Sequence, residues 1–355
     1  MVRWFVIAAA LVLMSACGTF GPSAIQASRT DYNVVLRQTE DEQLLLNLVR
    51  LRYRDQLLFL EASAVNTQFT FGGYADASTA LGADVVERYG VGARITVEEK
   101  PTVTYTPLQG GDFVERVLSP IQLETLLLLD GSGWSSERIF RTCLQQMNRA
   151  KNAPTASGPT PDKAPEYEAF LRVTRLLRVL ETRGMVSGAR EADGSNLVLQ
   201  FAEEAVDVPE YQELMRLLDL DPGKRTYPFL TGVYKGEANA FFVRTRSFAG
   251  VMYFLSQAVE VPAKDIEAGR VTVTRDEAGE VFDWLKVTGE LMRIRSGAKR
   301  PTNASVAVFY RGSWFYIDDS DLDSKSTFSM LGQVYALQSG NVEKMTPVLT
   351  LPVGG

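Results

Sequence analysis

The sequence predicts an α+β fold, and three observations predict it. Stretches with apolar residues at helical spacing, such as Leu44, Leu45, Leu48, Val49 and Leu51, share the chain with stretches that alternate apolar and polar, such as those carrying Ile95, Val97, Val103 and Tyr105. Clusters rich in Gly, Pro and Ser punctuate the two kinds of segment. The chain has 355 residues, 45% apolar and 23% charged, which is the composition of an ordinary globular protein with roughly one to three domains.

Asp31 to Asp55 read as a long helix. Acidic residues Glu40, Asp41 and Glu42 precede basic residues Arg50, Arg52 and Arg54, as the helix dipole favours. Thr39 and Glu42 have capping-box spacing, or lie mid-helix if the helix starts near Asp31. Asn47 either hydrogen-bonds across a packing interface or faces water. Leu57 to Phe71 and Ala93 to Thr106 read as an antiparallel pair, with a break at Gly72-Gly73 and a Gly/Ala-rich connection over 72–90. Together the helix and these strands make an expected unit at 31–108.

The segment 109–205 is expected to be helical, closed by a hairpin. Helical pieces are predicted at Asp112 to Leu118 and Pro120 to Leu129, then from a Ser135 or Ser136 cap to Met147. Residues 150–165, with Pro154, Gly158, Pro159, Pro161 and Pro165, read as a flexible loop. Glu166 to Thr182 form an amphipathic helix with Gly184 as its C′ residue. Met185-Val186 and Leu197 to Phe201 flank a turn at Asp193-Gly194. Helices followed by a small hairpin give a winged-helix-like layout.

A C-terminal α+β part is expected at 206–355. Its helices are Glu210 to Leu220, Ser247 to Glu260 and Leu322 to Leu337. Its strands are Thr226 to Tyr234, Ala240 to Thr245, segments near 271–274 and 281–295, a hairpin of Val306 to Tyr310 with Trp314 to Ile317, and Val348 to Leu351. The run Phe241–Val243 into Ser247–Ser256 weakly echoes Phe315–Ile317 into Ser326–Gln338, as an internal β-α duplication would.

The N-terminus carries an address. Met1 to Arg3 supply one positive charge, Trp4 to Met14 are almost wholly apolar, and Ser15-Ala16-Cys17 follow. An apolar run of about 11 residues is too short to span a bilayer, which takes ~20, and has the length of a signal-peptide core. Leu13-Met14-Ser15-Ala16-Cys17 resembles the lipobox of bacterial lipoproteins, with Met14 where that family most often has Leu. The alternative is an ordinary signal peptide with an incidental cysteine. The resemblance implies a signal peptide over 1–16, a thioether-linked diacylglycerol on Cys17 and subsequent N-acylation, which is stable anchoring by three chains. It makes 17–30 a lipidated tether. In that family Asp after the cysteine commonly signals inner-membrane retention, so Gly18 implies an outer-membrane lipoprotein facing the periplasm. Asp41 to Asp55, Gly250 to Ser256, Trp314 to Asp319 and Pro347 to Gly354 are similar to segments of a group of Gram-negative envelope lipoproteins of uncharacterised activity.

The composition excludes much chemistry. There is no histidine, so no imidazole base or ligand, and two cysteines cannot form a cysteine-rich zinc site. With Cys17 acylated, Cys143 has no disulfide partner, and its helical surroundings read as a small buried hydrophobe. A net charge of −6 offers no footprint for nucleic acid. Gly90-Val91-Gly92 lacks the spacing of a dinucleotide loop, and no cofactor is expected. Asp318, Asp319, Asp321 and Asp323 are the densest acidic cluster. Paired carboxylates there would suit a glycan hydrolase or a calcium site, while the bland reading is a helix cap. Arg172, Arg175 and Arg178 line one side of the amphipathic helix. They read as a solvated face paired in part with Glu168, or as a contact for an acidic partner or lipid phosphates. The aromatic segments around Phe241 and Trp314 read as core, or as an edge on which a partner strand docks. The expected function is a non-enzymatic scaffold or assembly factor of an envelope complex. An envelope hydrolase using carboxylates and a lipid- or small-ligand-binding lipoprotein are the alternatives. The expected partners are the membrane, through Cys17, and envelope proteins.

Overall fold

The computed structural model describes residues 32–80, 88–191 and 196–338. Cys17, the signal segment, the tether, the Asp193-Gly194 turn and the expected strand Val348 to Leu351 lie outside the described residues. The fold is α+β, as expected, with an N-terminal helix followed by strands. The described residues fall into two compact units: Leu58–Gly110, and the chain on either side of it.

The first unit is one long hairpin. Strand β1 (Leu60–Ala80) pairs antiparallel with β2 (Arg88–Pro107), from Leu60↔Pro107 to Ala80↔Arg88, with one bulge between Ala62 and Ala64. The strands therefore do not break at Gly72-Gly73. Gly72 pairs with Thr96 and Gly73 with Ile95, because ladder bonds are made by the backbone and a glycine weakens a strand without ending it. Pro101 pairs with Thr67 in the same ladder. In a two-stranded ribbon every second residue points its backbone away from the partner strand, so a proline can sit there without losing a ladder bond. Gly90-Val91-Gly92 is ordinary strand in β2.

The second unit begins with helix α1 (residues 32–52), whose apolar stripe is buried at Leu45, Leu48, Val49 and Leu51. Asn47 is buried with that stripe. Thr39 lies mid-helix and returns its hydroxyl to the Val35 carbonyl at 2.8 Å. The division differs from the expected unit 31–108, because α1 ends on groups far along the chain. The Tyr53 hydroxyl donates to Asp265 at 2.7 Å, and Arg52 donates to Thr160 at 3.2 Å and to the Thr272 carbonyl at 3.1 Å.

After a short helix α2 (Gly110–Phe113) and a π-helical turn at Val114–Leu118 come α3 (Leu123–Gly131) and α4 (Ser136–Cys143). Ser135 caps α4 by accepting from the Arg138 N–H. Helix α4 stops at Cys143, short of the expected Met147, and Leu144–Met147 become strand β3. The reason is tertiary: the Arg246 backbone N–H takes the Cys143 carbonyl at 2.7 Å, and its guanidinium takes those of Thr142 and Leu144. Strand β4 (Ala150–Lys151) follows.

Residues 150–165 are not a loose loop. Asn152, Ala153, Ala156 and Thr160 are buried. Asn152 donates to the Arg141 and Leu144 carbonyls at 2.8 and 2.7 Å, and Ser157 accepts from Arg246 Nε at 3.0 Å. The Pro- and Gly-rich composition marks irregular backbone, and side-chain bonds hold that backbone in the core.

Helix α5 (Glu168–Thr182) buries Phe170, Val173, Leu176, Leu177 and Leu180 and ends at Gly184 with φ +68°. Strands β5 (Val186–Arg190) and β6 (Leu197–Phe201) form the expected hairpin. After α6 (Pro209–Leu218), β7 (Thr226–Thr231) and β8 (Phe241–Thr245) join it. The result is one six-stranded sheet, β4-β3-β8-β7-β6-β5, parallel only at β7–β8. This sheet takes strands from both sides of residue 205, so no unit boundary falls there.

Ser247 caps α7 (Phe248–Ser256) by accepting from the Gly250 N–H at 3.0 Å. Short helices α8 (Ala263–Glu267) and α9 (Leu285–Thr288) follow. The expected strand 281–295 is replaced by α9, which starts where Asp283 accepts from the Leu285 N–H, and strand pairing begins only at β9 (Arg295–Gly297). Around 271–274 only isolated bridging is present, Arg275 pairing with Val281 and Lys163. Strands β10 (Ala304–Tyr310) and β11 (Ser313–Asp318) form the expected hairpin and complete a three-stranded sheet, β10-β11-β9. Helix α10 (Leu322–Gln338) closes the described chain. Ser326 lies inside α10, whereas Ser247 precedes α7, so the two β-α runs are not capped at equivalent serines.

Candidate functional site

The acidic cluster is dispersed by the fold into four local tasks. Asp318 accepts from the backbone N–H and hydroxyl of Ser320 at 3.0 and 2.6 Å. Those bonds hold its carboxyl below the usual aspartate range, opposite to what a general acid needs. Asp319 pairs with Lys325 at 2.6 Å. Asp321 is the cap of α10, accepting from the Ser324 N–H and hydroxyl at 3.1 and 2.7 Å. Asp323 pairs with Arg138 at 2.6 Å. Among the described residues no group of three or more His, Cys, Asp or Glu side chains is placed to hold a metal ion.

The arginine row of α5 is also paired, though not with Glu168. Arg172 makes a two-pronged bond to Glu213 at 2.8 and 2.5 Å, Arg175 reaches Glu290 at 2.9 Å, and Arg178 reaches Glu181 at 2.8 Å. These are exposed pairs, of a kind that contributes little to stability and exchanges readily with other partners. Cys143 is fully buried, and burial pushes its thiol up to about 12, so it is an inert core residue.

Two features that do offer a surface to another molecule lie elsewhere. The first is an apolar pocket of about 260 Å³ between the helices and one end of the six-stranded sheet. Helix α3 presents Leu123, Leu127 and Asp130 to it at turn spacing, α4 presents Ile139 and Phe140, and α5 presents Leu177 and Glu181. The floor is β5, β6 and Phe229 of β7. Gly188 of β5 makes room: a Cβ there would sit 3.7 Å from Asp130 Oδ2 and 3.9 Å from Leu127 Cδ1. At the rim, Glu181 accepts from Ser136 Oγ at 2.9 Å and from Arg178 at 2.8 Å. Burial and the neighbouring Glu181 both raise the Asp130 carboxyl above its usual value.

The second is the outer face of the three-stranded sheet. Its inner face buries Val306, Val308, Phe315 and Ile317. Strand alternation and the pairings Phe309↔Trp314, Ala307↔Tyr316, Gly297↔Trp314 and Arg295↔Tyr316 put Phe309, Trp314, Tyr316 and Arg295 together on the opposite face. Phe309 is 58% exposed, with its ring 5.4 Å from that of Trp314. The Arg300 guanidinium lies 5.3 Å from the centre of the Trp314 ring, and Lys299 and Arg300 are exposed beside it. Phe241 is core, as expected of that segment, and so is Phe315, but Trp314 is not.

Sequence reasoning did not single out Asp130, Glu181 or Gly188. A lone glycine inside a strand pattern is a signal of close approach, and Gly188 in Val186–Arg190 is such a glycine. Nothing comparable marks Asp130, which stands at the end of an ordinary leucine-rich helix. Among the described residues no helix is long and apolar enough to cross a membrane. Comparison with protein-family models, curated proteins and solved structures finds no match to this chain.

Proposed function

We propose that this protein is a periplasmic lipoprotein held at the outer membrane by acylated Cys17, and that it acts there as a non-enzymatic scaffold or assembly factor of an envelope complex. The anchor reading rests on the lipobox and Gly18. The observation that carries the scaffold reading is the outer face of β10–β11–β9. A sheet face that meets solvent is ordinarily polar, and here Phe309 and Arg300 are exposed on it beside half-buried Trp314, Tyr316 and Arg295. Aromatic and arginine side chains are the residue types that dominate protein–protein binding energy. The surrounding positive charge selects a protein segment with acidic side chains next to apolar ones. The dispersal of the acidic cluster into cap, turn and ion pairs supports this reading over a carboxylate hydrolase.

The test is crosslinking in membranes followed by mild-detergent purification. The wild-type protein is expected to bring down a defined partner, and Trp314→Ala combined with Phe309→Ser to lose it while remaining folded and membrane-bound. A wild-type protein that runs alone, with no crosslinked partner, overturns the scaffold reading. Cys17→Ser is expected to abolish acyl labelling and release the protein from the membrane fraction. Retention of label in that variant overturns the anchor. A second reading, small-ligand binding, is favoured by the apolar pocket at the end of the six-stranded sheet.

A further inference from the structure

The geometry points to an amphiphile with a cationic nitrogen as the ligand of the apolar pocket: an alkyl or aryl body seated between α3, α5 and the β5–β6 hairpin, and its ammonium held by Asp130. The inference rests on the small-ligand reading alone and needs neither the membrane anchor nor the aromatic face.

Three observations carry it. The walls are leucine, isoleucine and phenylalanine side chains, and about 260 Å³ is more room than the 150 Å³ apolar cavity known to admit benzene. The polar side chains of the lining, Asp130, Ser136, Glu181 and Ser187, keep some exposure to solvent while Ile139, Phe140 and Leu177 are buried, which fits an apolar body with one polar end. The charge at the rim is negative. Two carboxylates, Asp130 and Glu181, face one pocket. Arg178 and Ser136 are spent on Glu181, and no ion pair or hydrogen bond to the Asp130 carboxylate is present among the described residues. Burial first, and after it repulsion from Glu181, raise the Asp130 carboxyl. A bound cation relieves that repulsion, whereas an anion such as a fatty acid adds to it. Gly188 keeps the cavity open, since any side chain at that position points towards Asp130 and Leu127.

The experiment uses three probes of one length that differ only in the head: octylamine, octanol and octanoate. Binding to the purified protein is followed by calorimetry and by the methyl NMR signals of the lining leucines. The wild-type protein is expected to bind octylamine about tenfold more tightly than octanol, the gain of one charge-assisted hydrogen bond, and octanoate least. Asp130→Asn is expected to bring octylamine down to the level of octanol without loss of octanol binding. Gly188→Val, whose Cβ meets only ordinary contacts, is expected to weaken all three while the fold is kept. Equal binding of amine and alcohol, or a preference for octanoate, overturns the cationic ligand and leaves the small-ligand reading standing. No binding of any probe by the folded wild-type protein overturns both.

Discussion

The arginine row of α5 and the single arginine at 246 use the same side chain in opposite surroundings. Arg172, Arg175 and Arg178 stand in water, each opposite a carboxylate. Arg246 is fully buried, and no ion pair to it is present among the described residues. It is satisfied by neutral oxygens instead: the carbonyls of Thr142, Leu144 and Asn152 and the hydroxyl of Ser157, with the Phe254 ring 4.1 Å from its guanidinium carbon. Burial alone pulls its pKa down. The exposed row is conspicuous in the sequence and interchangeable with solvent. The buried arginine is inconspicuous, and it gathers α4, β3 and the 150–165 segment around one planar fork of donors.

Removing Arg246 is expected to have the largest effect. Arg246→Met keeps much of the volume but takes the guanidinium donors from the Thr142 and Asn152 carbonyls and leaves Leu144 only its bond from Asn152, and is expected to cost about 3–5 kcal/mol of unfolding free energy. Urea denaturation measures it, and a loss below ~1 kcal/mol would show that the carbonyls find other donors. Arg246→Lys is expected to recover only part, because an ammonium is a point and cannot span the Ser157 and Leu144 sides together.

A smaller effect is expected where α1 ends. Asp265 is buried and accepts from the Tyr53 hydroxyl at 2.7 Å and from Arg270 at 2.5 Å. Burial pushes its carboxyl up, but those two bonds outweigh it and leave the folded value below the usual aspartate range. A carboxyl depressed by folding adds stability that is fully present above its ordinary value near 3.8 and is lost as pH falls through the folded value. Asp265→Asn is therefore expected to lower the melting temperature at pH 7, with the gap from wild type closing below about pH 3.8. A gap that stays constant from pH 7 to pH 3 would detach Asp265 from the acid response. Tyr53→Phe removes one of the two bonds and is expected to cost about 1–3 kcal/mol at pH 7.

The smallest effect is expected at the exposed row. Replacing Arg172, Arg175 and Arg178 together by alanine is expected to leave the denaturation midpoint nearly unchanged, and the residual change is expected to vanish in high salt. A large loss from that triple variant would mean the row packs on the core through its aliphatic stems.

Much of this architecture was legible where the cause is local. The stripe of α5 with Gly184 behind it, a serine cap at 135 or 136 that proves to be Ser135, and the hairpin of Val306 to Tyr310 with Trp314 to Ile317, which turns at Arg311-Gly312, follow from near neighbours in the chain. That turn has φ of +47° and +77° at its two residues, the signature of a tight hairpin. The misreadings share a different cause. Leu144–Met147 continue a helical pattern and become strand because Arg246, about a hundred residues away, takes the carbonyls the helix would have used. Residues 150–165 have the composition of a loop, yet Asn152, Ala153, Ala156 and Thr160 are buried because Asn152, Ser157 and Thr160 find partners at Leu144, Arg246 and Arg52. Trp314 and Phe315 are adjacent and similar in sequence, and strand alternation sends one outward and the other into the core.

Residue type and near-neighbour spacing suffice for the local periods, the hairpin turns, the likeness of Leu13 to Cys17 to a lipobox and the lack of histidine. Burial of Arg52, Arg141 and Arg246, the meeting of Asp130 and Glu181 at one pocket and the outward turn of Phe309 were settled by the tertiary structure. Burial and electrostatic partnership are set by residues that meet across long loops. The same side chain in water and in a dry core has a different pKa, a different partner and a different worth.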